Sequence, residues 1–233
     1  MAALRLAKYI ASQGFCSRRK AEELIAAGSV TVNSQTAQIT TPFNPDTDEL
    51  KIAGDSLNPQ KYIYILLNKP KGYLSTCSPG REKGKSVLEL VQVIERIYPI
   101  GRLDRDSRGL LILTNNGNLT YKLTHPSFAK EKEYIITLDA PFSPKELQLL
   151  SRGISLNNTT AKFHHLEKIG DCQYQVVLLQ GIKRQIRRMA KAVGKKVLDL
   201  QRVRIDSLIL NDLPEGKWRY LTAEEISKLS EIE

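Results

Sequence analysis

One short segment concentrates the residue types that could carry out nucleophilic chemistry. Asp104 lies in the arginine-rich stretch Gly101–Arg108, and the apolar run Leu110–Leu113 that follows is typical of a buried strand. A polar turn at Asn115–Gly117 ends this run. Because nearby cations keep a carboxylate ionised, an acid at the mouth of a rigid strand is suited to act as a nucleophile. The alternative is a solvated loop in which acidic and basic side chains only pair with each other.

A second segment, Gln180–Met189, combines an apolar face with a basic one. On a helix, one face carries Ile186, Met189, Ala190 and Val193. The cations repeat the same spacing two residues out of phase, about 200° around the helix, at Arg184, Arg187, Arg188 and Lys191. The pattern predicts a helix that buries its apolar side and ends at Gly194.

Composition favours a polyanionic partner. The 233 residues include 35 Lys or Arg and 25 Asp or Glu, which gives a formal net charge of +10. The three cysteines are far apart and form no disulfide framework or paired metal spacing, which indicates a reducing compartment. We find no apolar signal core and no run long enough to cross a bilayer, so we expect a cytoplasmic protein without a membrane partner.

The elements around these segments predict two domains. Two short helices, Leu4–Gln13 and Arg18–Ala27, precede a strand at residues 30–33, and Ser17 can cap the second helix. We assign residues 1–48 to this first domain, residues 49–61 to a polar linker and residues 62–233 to a second domain. The second domain mixes strands and helices without regular βαβ alternation, which indicates an α+β fold with a mainly antiparallel mixed sheet. A capping box at Ser86 predicts a helix to about Ile94.

Several of these motifs resemble RNA pseudouridine synthases of the RsuA/RluB type, which modify ribosomal RNA. The resemblance is carried by Gly101–Gly117, by Asn68–Gly72, by the Lys132-x-Tyr134 motif and by Gln180–Met189. The two N-terminal helices and the strand resemble the small alpha-L RNA-binding motif of a ribosomal small-subunit protein. One departure is Gln180, where the family usually has glutamate, and we expect it to change hydrogen bonding rather than abolish activity.

The resemblance implies the chemistry and its residues. The glycosidic bond of a uridine is broken, the base rotates, and a bond forms between C5 and C1′, a reaction that consumes nothing and needs no cofactor or metal. Asp104 is the implied catalytic carboxylate, favoured over Asp106 because the family places the essential acid directly after Arg-Leu. Tyr134 is implied to stack near the base and to accept the C5 proton, and Arg187 to pair with Asp104.

The resemblance also implies the RNA contacts and the partner. We assign RNA binding to Arg5, Lys8, Arg18, Arg19, Lys20, Lys69, Arg102, Lys132, Arg184 and Arg188. The fold expected is a small helix-and-strand RNA-binding domain followed by a catalytic domain with a central RNA cleft. The partner is ribosomal RNA or a ribosomal assembly intermediate, modified by a monomer. Large-subunit rRNA is preferred as the target; the alternatives are small-subunit rRNA and a non-catalytic RNA-binding or ribosome-assembly protein.

Overall fold

The computed structural model describes residues 5–57, 61–78, 80, 84–156 and 159–230 and divides into two compact units. The first unit comprises the described residues up to Ile63 together with Val93–Ile97 and Asn115–Gly117. The second comprises the described residues of Tyr64–Gln92, Tyr98–Thr114 and Asn118–Glu233. The chain therefore returns twice to the first unit after leaving it.

Two helices and a four-stranded antiparallel sheet form the first unit. Its elements are α1 Leu6–Ser12, α2 Arg18–Ala26, β1 Val30–Val32, β2 Gln35–Thr36, β3 Leu50–Ile52 and β4 Asp55–Ser56, with sheet order β2-β1-β3-β4. Leu6 and Ile10, one helical turn apart, are both buried. The hydroxyl of Ser17 caps α2 by accepting a hydrogen bond from the Lys20 amide at 3.1 Å.

The predicted linker at residues 49–61 is wrong for its first half. Strand β3 pairs with β1 in the register Val30↔Ile52 and Val32↔Leu50, and β4 pairs with β3. Leu50 and Ile52 are buried because alternate residues of a strand point to the same side. The first unit thus extends beyond residue 48, and the polar residues that suggested a linker include the turn of a hairpin.

The second unit contains the remaining helices and strands. The helices are α3 Gly117–Thr124, which begins in the first unit, α4 Pro144–Arg152, α5 Gln185–Ala192 and α6 Ala223–Ser230. The strands are β5 Tyr64–Lys69, β6 Tyr73–Leu74, β7 Lys85–Ser86, β8 Tyr98–Ile100, β9 Arg108–Thr114, β10 Lys132–Leu138, β11 Ile154–Leu156, β12 Thr159–Ala161, β13 His165–Lys168, β14 Gln173–Leu178, β15 Val197–Ile205, β16 Leu208–Ile209 and β17 Trp218–Tyr220.

A nine-stranded sheet organises this unit. Seven of its strands follow the order β13-β14-β10-β15-β9-β5-β17, while β16 pairs with β15 and β8 pairs with β9. The β9–β15 pair is parallel and the other pairs of this sheet are antiparallel. The mainly antiparallel mixed sheet and the α+β class predicted from sequence are confirmed.

Capping residues fix where the helices begin. In α4 the Ser143 hydroxyl accepts the Glu146 amide while the Glu146 carboxylate accepts the Ser143 amide. The same box at Ser86 is present, but it opens only a 3-10 turn, Val87–Leu90, rather than a helix to Ile94. The β-branched residues that follow this turn disfavour the helix, and Val91 is extended.

Candidate active site

The loop between β8 and β9 carries Asp104, and buried groups fix its backbone. The Ser75 hydroxyl accepts the Leu103 amide at 3.1 Å and donates to the Leu103 carbonyl at 2.9 Å. The Ser107 amide donates to the Asp104 carbonyl at 3.0 Å, which closes a turn around the acid. These bonds fix the backbone on both sides of the Asp104 side chain.

Lys69 is the central anchor of this loop. Its side chain is fully buried, and its Nζ donates to the carbonyl oxygens of Pro70 at 3.0 Å, Asp104 at 3.2 Å and Ser107 at 2.7 Å. Burial lowers the pKa of the Lys69 ammonium to about 8, against the opposing effect of Asp104. The sequence-based assignment of Lys69 to RNA binding is therefore wrong, since the ammonium faces three backbone carbonyls.

Asp104 lines a cavity of about 1080 Å³ within the second unit. Its side chain is 31% exposed, and the Arg184 Nη1 lies 3.8 Å from its Oδ2. The carboxylate is therefore within range of a cation and also accessible from the cavity, as a nucleophile requires.

The carboxylate of Asp106, the competing acid, is held by two arginines. Arg184 binds it through two hydrogen bonds of 2.9 Å each, and the Arg187 Nε lies 3.4 Å from its Oδ2. The hydrogen bonds from Arg184 hold the pKa of Asp106 below its ordinary value. Asp106 is absent from the cavity lining among the described residues, so its paired carboxylate is poorly placed to attack a substrate.

Arg187 occupies a different place from the one the resemblance implied. Its Nη1 donates to the Val197 carbonyl at 2.8 Å and its Nη2 to the Asp106 carbonyl at 2.9 Å. Backbone carbonyls therefore accept hydrogen bonds from both terminal nitrogens of a side chain that is only 13% exposed. Within the described residues, the ion pair with Asp104 is made by Arg184 and not by Arg187. Arg187 braces the loop from helix α5, which forms as the spacing predicted.

Tyr134 and Lys132 enter the cavity wall from β10. Tyr134 is 8% exposed and Lys132 is half-buried, and both line the cavity that Asp104 lines. They lie two residues apart, so their side chains leave the same face of the strand. Burial lowers the pKa of Lys132 to about 8, and the positive charge of Arg202 contributes.

Sequence reasoning missed Arg202, which also lines the cavity. In β15 it is only 2% exposed, and its Nε donates to the Leu110 carbonyl at 2.8 Å. Its backbone lies against Gly109, where an added Cβ would overlap the Arg202 carbonyl oxygen and lie 2.6 Å from its nitrogen. Gly109, at φ +107°, thus allows β9 and β15 to approach closely. Where basic and apolar residues alternate along a strand, the sequence alone does not distinguish an arginine that points into the protein from one that is exposed to solvent.

Gln180, the departure from the family pattern, lies at the cavity rim. Its amide nitrogen donates to the Thr160 carbonyl at 3.4 Å, and its amide oxygen accepts from the Gln185 side chain at 3.4 Å. A glutamate could accept the second of these bonds but could not donate the first.

The other predicted RNA contacts differ in location. Arg102 is exposed and lines the cavity, whereas Arg188 is half-buried on α5 and is not part of the cavity lining described here. The five predicted contacts of the first unit are all exposed: Arg5, Lys8, Arg18, Arg19 and Lys20. Lys20 also forms an ion pair of 3.0 Å with Glu23.

Two further observations concern metals and membranes. Within residues 5–57, 61–78, 80, 84–156 and 159–230, no group of three or more His, Cys, Asp or Glu side chains is placed to hold a metal ion. In the same part of the chain no helix has the length and apolarity needed to cross a membrane.

Known families and proteins match both units. The sequence model of the RNA pseudouridylate synthase family matches residues 63–192, and that of the S4 domain matches residues 4–40. The chain is 37% identical to the dual-specificity RNA pseudouridine synthase RluF of Escherichia coli K12, over 98% of this chain and 79% of the relative. It is 38% identical to the ribosomal large subunit pseudouridine synthase B of Bacillus subtilis, over 97% and 95%. A crystal structure of a pseudouridylate synthase superposes with a TM-score of 0.71 at 29% identity, over 97% of this chain and all of the other.

The fold and the cavity around Asp104 define an RNA-modifying enzyme with a separate RNA-binding unit. This chain belongs to the RNA pseudouridine synthase family and carries an S4 domain ahead of its catalytic domain.

Proposed function

We propose that this enzyme converts a specific uridine of large-subunit ribosomal RNA to pseudouridine. The observation that carries the proposal is the accessible carboxylate of Asp104 in a cavity shared with Tyr134 and several cations. The named large-subunit relative from Bacillus subtilis, matched over 95% of its length, supports the choice of RNA. The net charge of +10 suits an RNA partner of any kind.

Asp104 provides the carboxylate that attacks or stabilises the electrophilic centre of the target nucleotide. The Arg184 Nη1 lies 3.8 Å from its Oδ2, so a cation stands beside the carboxylate at the cavity wall. Arg184 is in turn fixed by its two bonds to Asp106, so the second acid acts as a positioning residue for the first. Arg187 holds the backbone of Asp106 through a bond of 2.9 Å, which is a revised role for this residue.

Tyr134 stacks against the uracil and accepts the proton that leaves C5. The target nucleotide reaches this site by flipping out of its stack, because its C5 and C1′ cannot be remodelled within one. The exposed cations of the first unit bind phosphates, and they thereby select the region of RNA that docks. The enzyme acts as a cytoplasmic monomer on rRNA or on an assembly intermediate.

The proposal is tested by incubating the purified protein with large-subunit rRNA, with small-subunit rRNA and with an assembly intermediate of each. Sites of pseudouridine are then mapped by chemical labelling that blocks reverse transcription. One new site in large-subunit RNA is expected, and it should be absent with Asp104→Asn protein. A site in small-subunit RNA alone would reject the choice of target, and RNA binding without any new site would favour a non-catalytic binding protein.

A further inference from the structure

Arg202 is a buried cation in the cavity wall, and none of the roles proposed for the other residues of the site involves it. It is only 2% exposed, although it lines the cavity. Its Nε donates to the Leu110 carbonyl, whereas its Nη2 has no hydrogen-bond partner among the described residues. Buried polar groups are nearly always hydrogen-bonded, and an unmet donor on a charged group is costly. An orphaned donor at the wall of a substrate cavity therefore points to an acceptor on the substrate.

The sheet register places Arg202 beside the tyrosine that is proposed to stack on the base. Tyr134 of β10 and Arg202 of β15 are direct cross-strand partners, so their side chains leave the same face of the sheet. Lys132, two residues before Tyr134, shares that face and also lines the cavity. Two cations and an aromatic ring thus lie together, and the ion pairs of the described residues include no partner for Arg202.

The depth at which Arg202 is buried in the cavity determines which part of the nucleotide it can contact. A flipped nucleotide enters a pocket with its base foremost, so its phosphates stay near the opening. Arg102, Lys162 and Lys183 are exposed cations of the cavity lining and suit a phosphate, whereas Arg202 is almost completely buried. The buried guanidinium therefore meets the base.

The chemistry of uracil fits such a donor. When the N1–C1′ bond breaks, its electron pair goes to the uracil, and the negative charge spreads over N1, O2 and O4. The base then turns about the axis through N3 and C6, which exchanges N1 with C5 and O2 with O4. A donor beside one carbonyl oxygen before this rotation finds the other carbonyl oxygen in the same place afterwards. The C5–C1′ bond then forms, C5 gives up its proton and N1 gains one.

We propose that the Arg202 guanidinium donates a hydrogen bond to a uracil carbonyl oxygen, stabilises the detached uracil anion and retains an equivalent bond after the base has turned. Cations preorganised where charge develops are a major source of catalysis. The same placement disfavours cytosine, which presents an amino group where uracil has O4. The inference rests on the pseudouridine synthase activity and is independent of which rRNA is the target.

The first test uses Arg202→Met with Arg204→Met as its matched control. Arg204 lies two residues further along the same strand, pairs with Glu131 and Glu133 and lies outside the cavity lining described. The single-turnover rate at saturating RNA should fall roughly 100-fold for Arg202→Met, the effect of removing one donor to a developing anion. Arg204→Met should stay within about twofold of the wild-type rate, as expected for a residue outside the site. Thermal melting checks that each variant is folded, and Arg202→Lys, which keeps the cation, should recover part of the rate.

The second test replaces the target uridine by 2-thiouridine and by 4-thiouridine. Sulfur accepts hydrogen bonds weakly, so the wild type should be slowed about tenfold by either substitution, the effect of one lost bond. Arg202→Met should show no such slowing, because the bond is already absent. Equal effects of sulfur on wild type and variant overturn the proposal. If neither Arg202→Met nor Arg202→Lys folds, the wild type alone decides the test. The proposal is then overturned if neither 2-thiouridine nor 4-thiouridine slows the wild-type reaction.

Two other outcomes distinguish this proposal from a phosphate-binding role of Arg202 and from a protein that lacks the activity. A weaker RNA affinity and a salt slope lower by about 1, with a normal rate at saturation, would make Arg202 a phosphate contact and overturn the proposal. A wild type that forms no pseudouridine contradicts the activity itself, whereas equal rates for wild type and Arg202→Met overturn only the role of Arg202.

Discussion

Lys69→Met separates the anchoring role of this lysine from the RNA-binding role that its sequence motif suggested. In the structure its ammonium bonds three carbonyl groups, two of which belong to the loop that carries Asp104. Methionine fills a similar volume without any donor. We expect the variant to bind RNA normally, to unfold more easily and to lose catalytic rate, because the Asp104 loop is no longer held.

The size of the stability change follows from two opposing effects. Hydrogen bonds from a charged donor contribute roughly 1.5–3 kcal/mol each, so three lost bonds cost about 5–9 kcal/mol. Methionine avoids the burial of a charge, and the lowering of the Lys69 pKa from 10.5 to about 8 puts this benefit at about 3 kcal/mol. The free energy of unfolding at pH 7 should therefore fall by about 2–6 kcal/mol, the difference between these two terms.

The pH dependence gives a second signature with a definite sign. The pKa of Lys69 is lower in the folded state, so between pH 8 and pH 10.5 the unfolded chain binds the extra proton. Stability of the wild type relative to Lys69→Met should then rise with pH, by about 2 kcal/mol between pH 7 and pH 9.5. Lys132 is present in both proteins and cancels from the comparison.

Urea denaturation at the two pH values measures stability, and RNA binding across a salt series measures phosphate contacts. Lys183→Met is the matched comparison, since Lys183 is exposed in the cavity wall. A lost phosphate contact lowers the slope of log K against log salt by about 0.7–0.9, which is expected for Lys183→Met and not for Lys69→Met. A lower salt slope for Lys69→Met, with unchanged stability and rate, would refute the anchoring role.

Three further predictions test the packing and the two units. Gly109→Ala should cost roughly 3 kcal/mol or prevent folding, because its Cβ would overlap the Arg202 backbone. Gly72→Ala, with a positive φ but nothing within 4 Å, should cost only about 1–2 kcal/mol in the same urea experiment. Asp106→Asn should slow single-turnover catalysis about tenfold by weakening the charged hydrogen bonds that hold Arg184, and a loss as complete as that of Asp104→Asn would show that the wrong acid has been chosen. Deletion of residues 1–60 should lower the salt slope of RNA binding by roughly 2 and leave a folded catalytic unit, whereas an unchanged slope would deny the first unit a docking role.

Periodicity and capping residues were sufficient to predict much of the fold. Ser17 predicted a helix start correctly because a cap is a local interaction between residues three positions apart. The basic-and-apolar pattern of α5 predicted its buried face for a similar reason. The capping box at Ser86 predicts a longer helix than the structure contains, because such a box specifies a first turn but not how far the helix continues.

The other errors concern contacts between residues distant in sequence. Leu50 and Ile52 alternate with polar residues, and only pairing with β1 shows that they belong to the first sheet. Lys69 is 35 residues from Asp104 in the chain, so no local pattern could show that its ammonium is buried under that loop. Arg184 and Arg187 are both basic residues of one segment, and side-chain geometry alone decides which one faces Asp104.

The most direct test of the account is the single-turnover release of tritium from C5 of the target uridine, compared between the wild type and Asp104→Asn. The amide is nearly isosteric with the carboxylate and is a poor nucleophile, so RNA affinity and melting temperature should be retained. We expect tritium release by the wild type and none above background by Asp104→Asn. A variant that releases tritium at near the wild-type rate would contradict the assignment of Asp104 as the catalytic carboxylate.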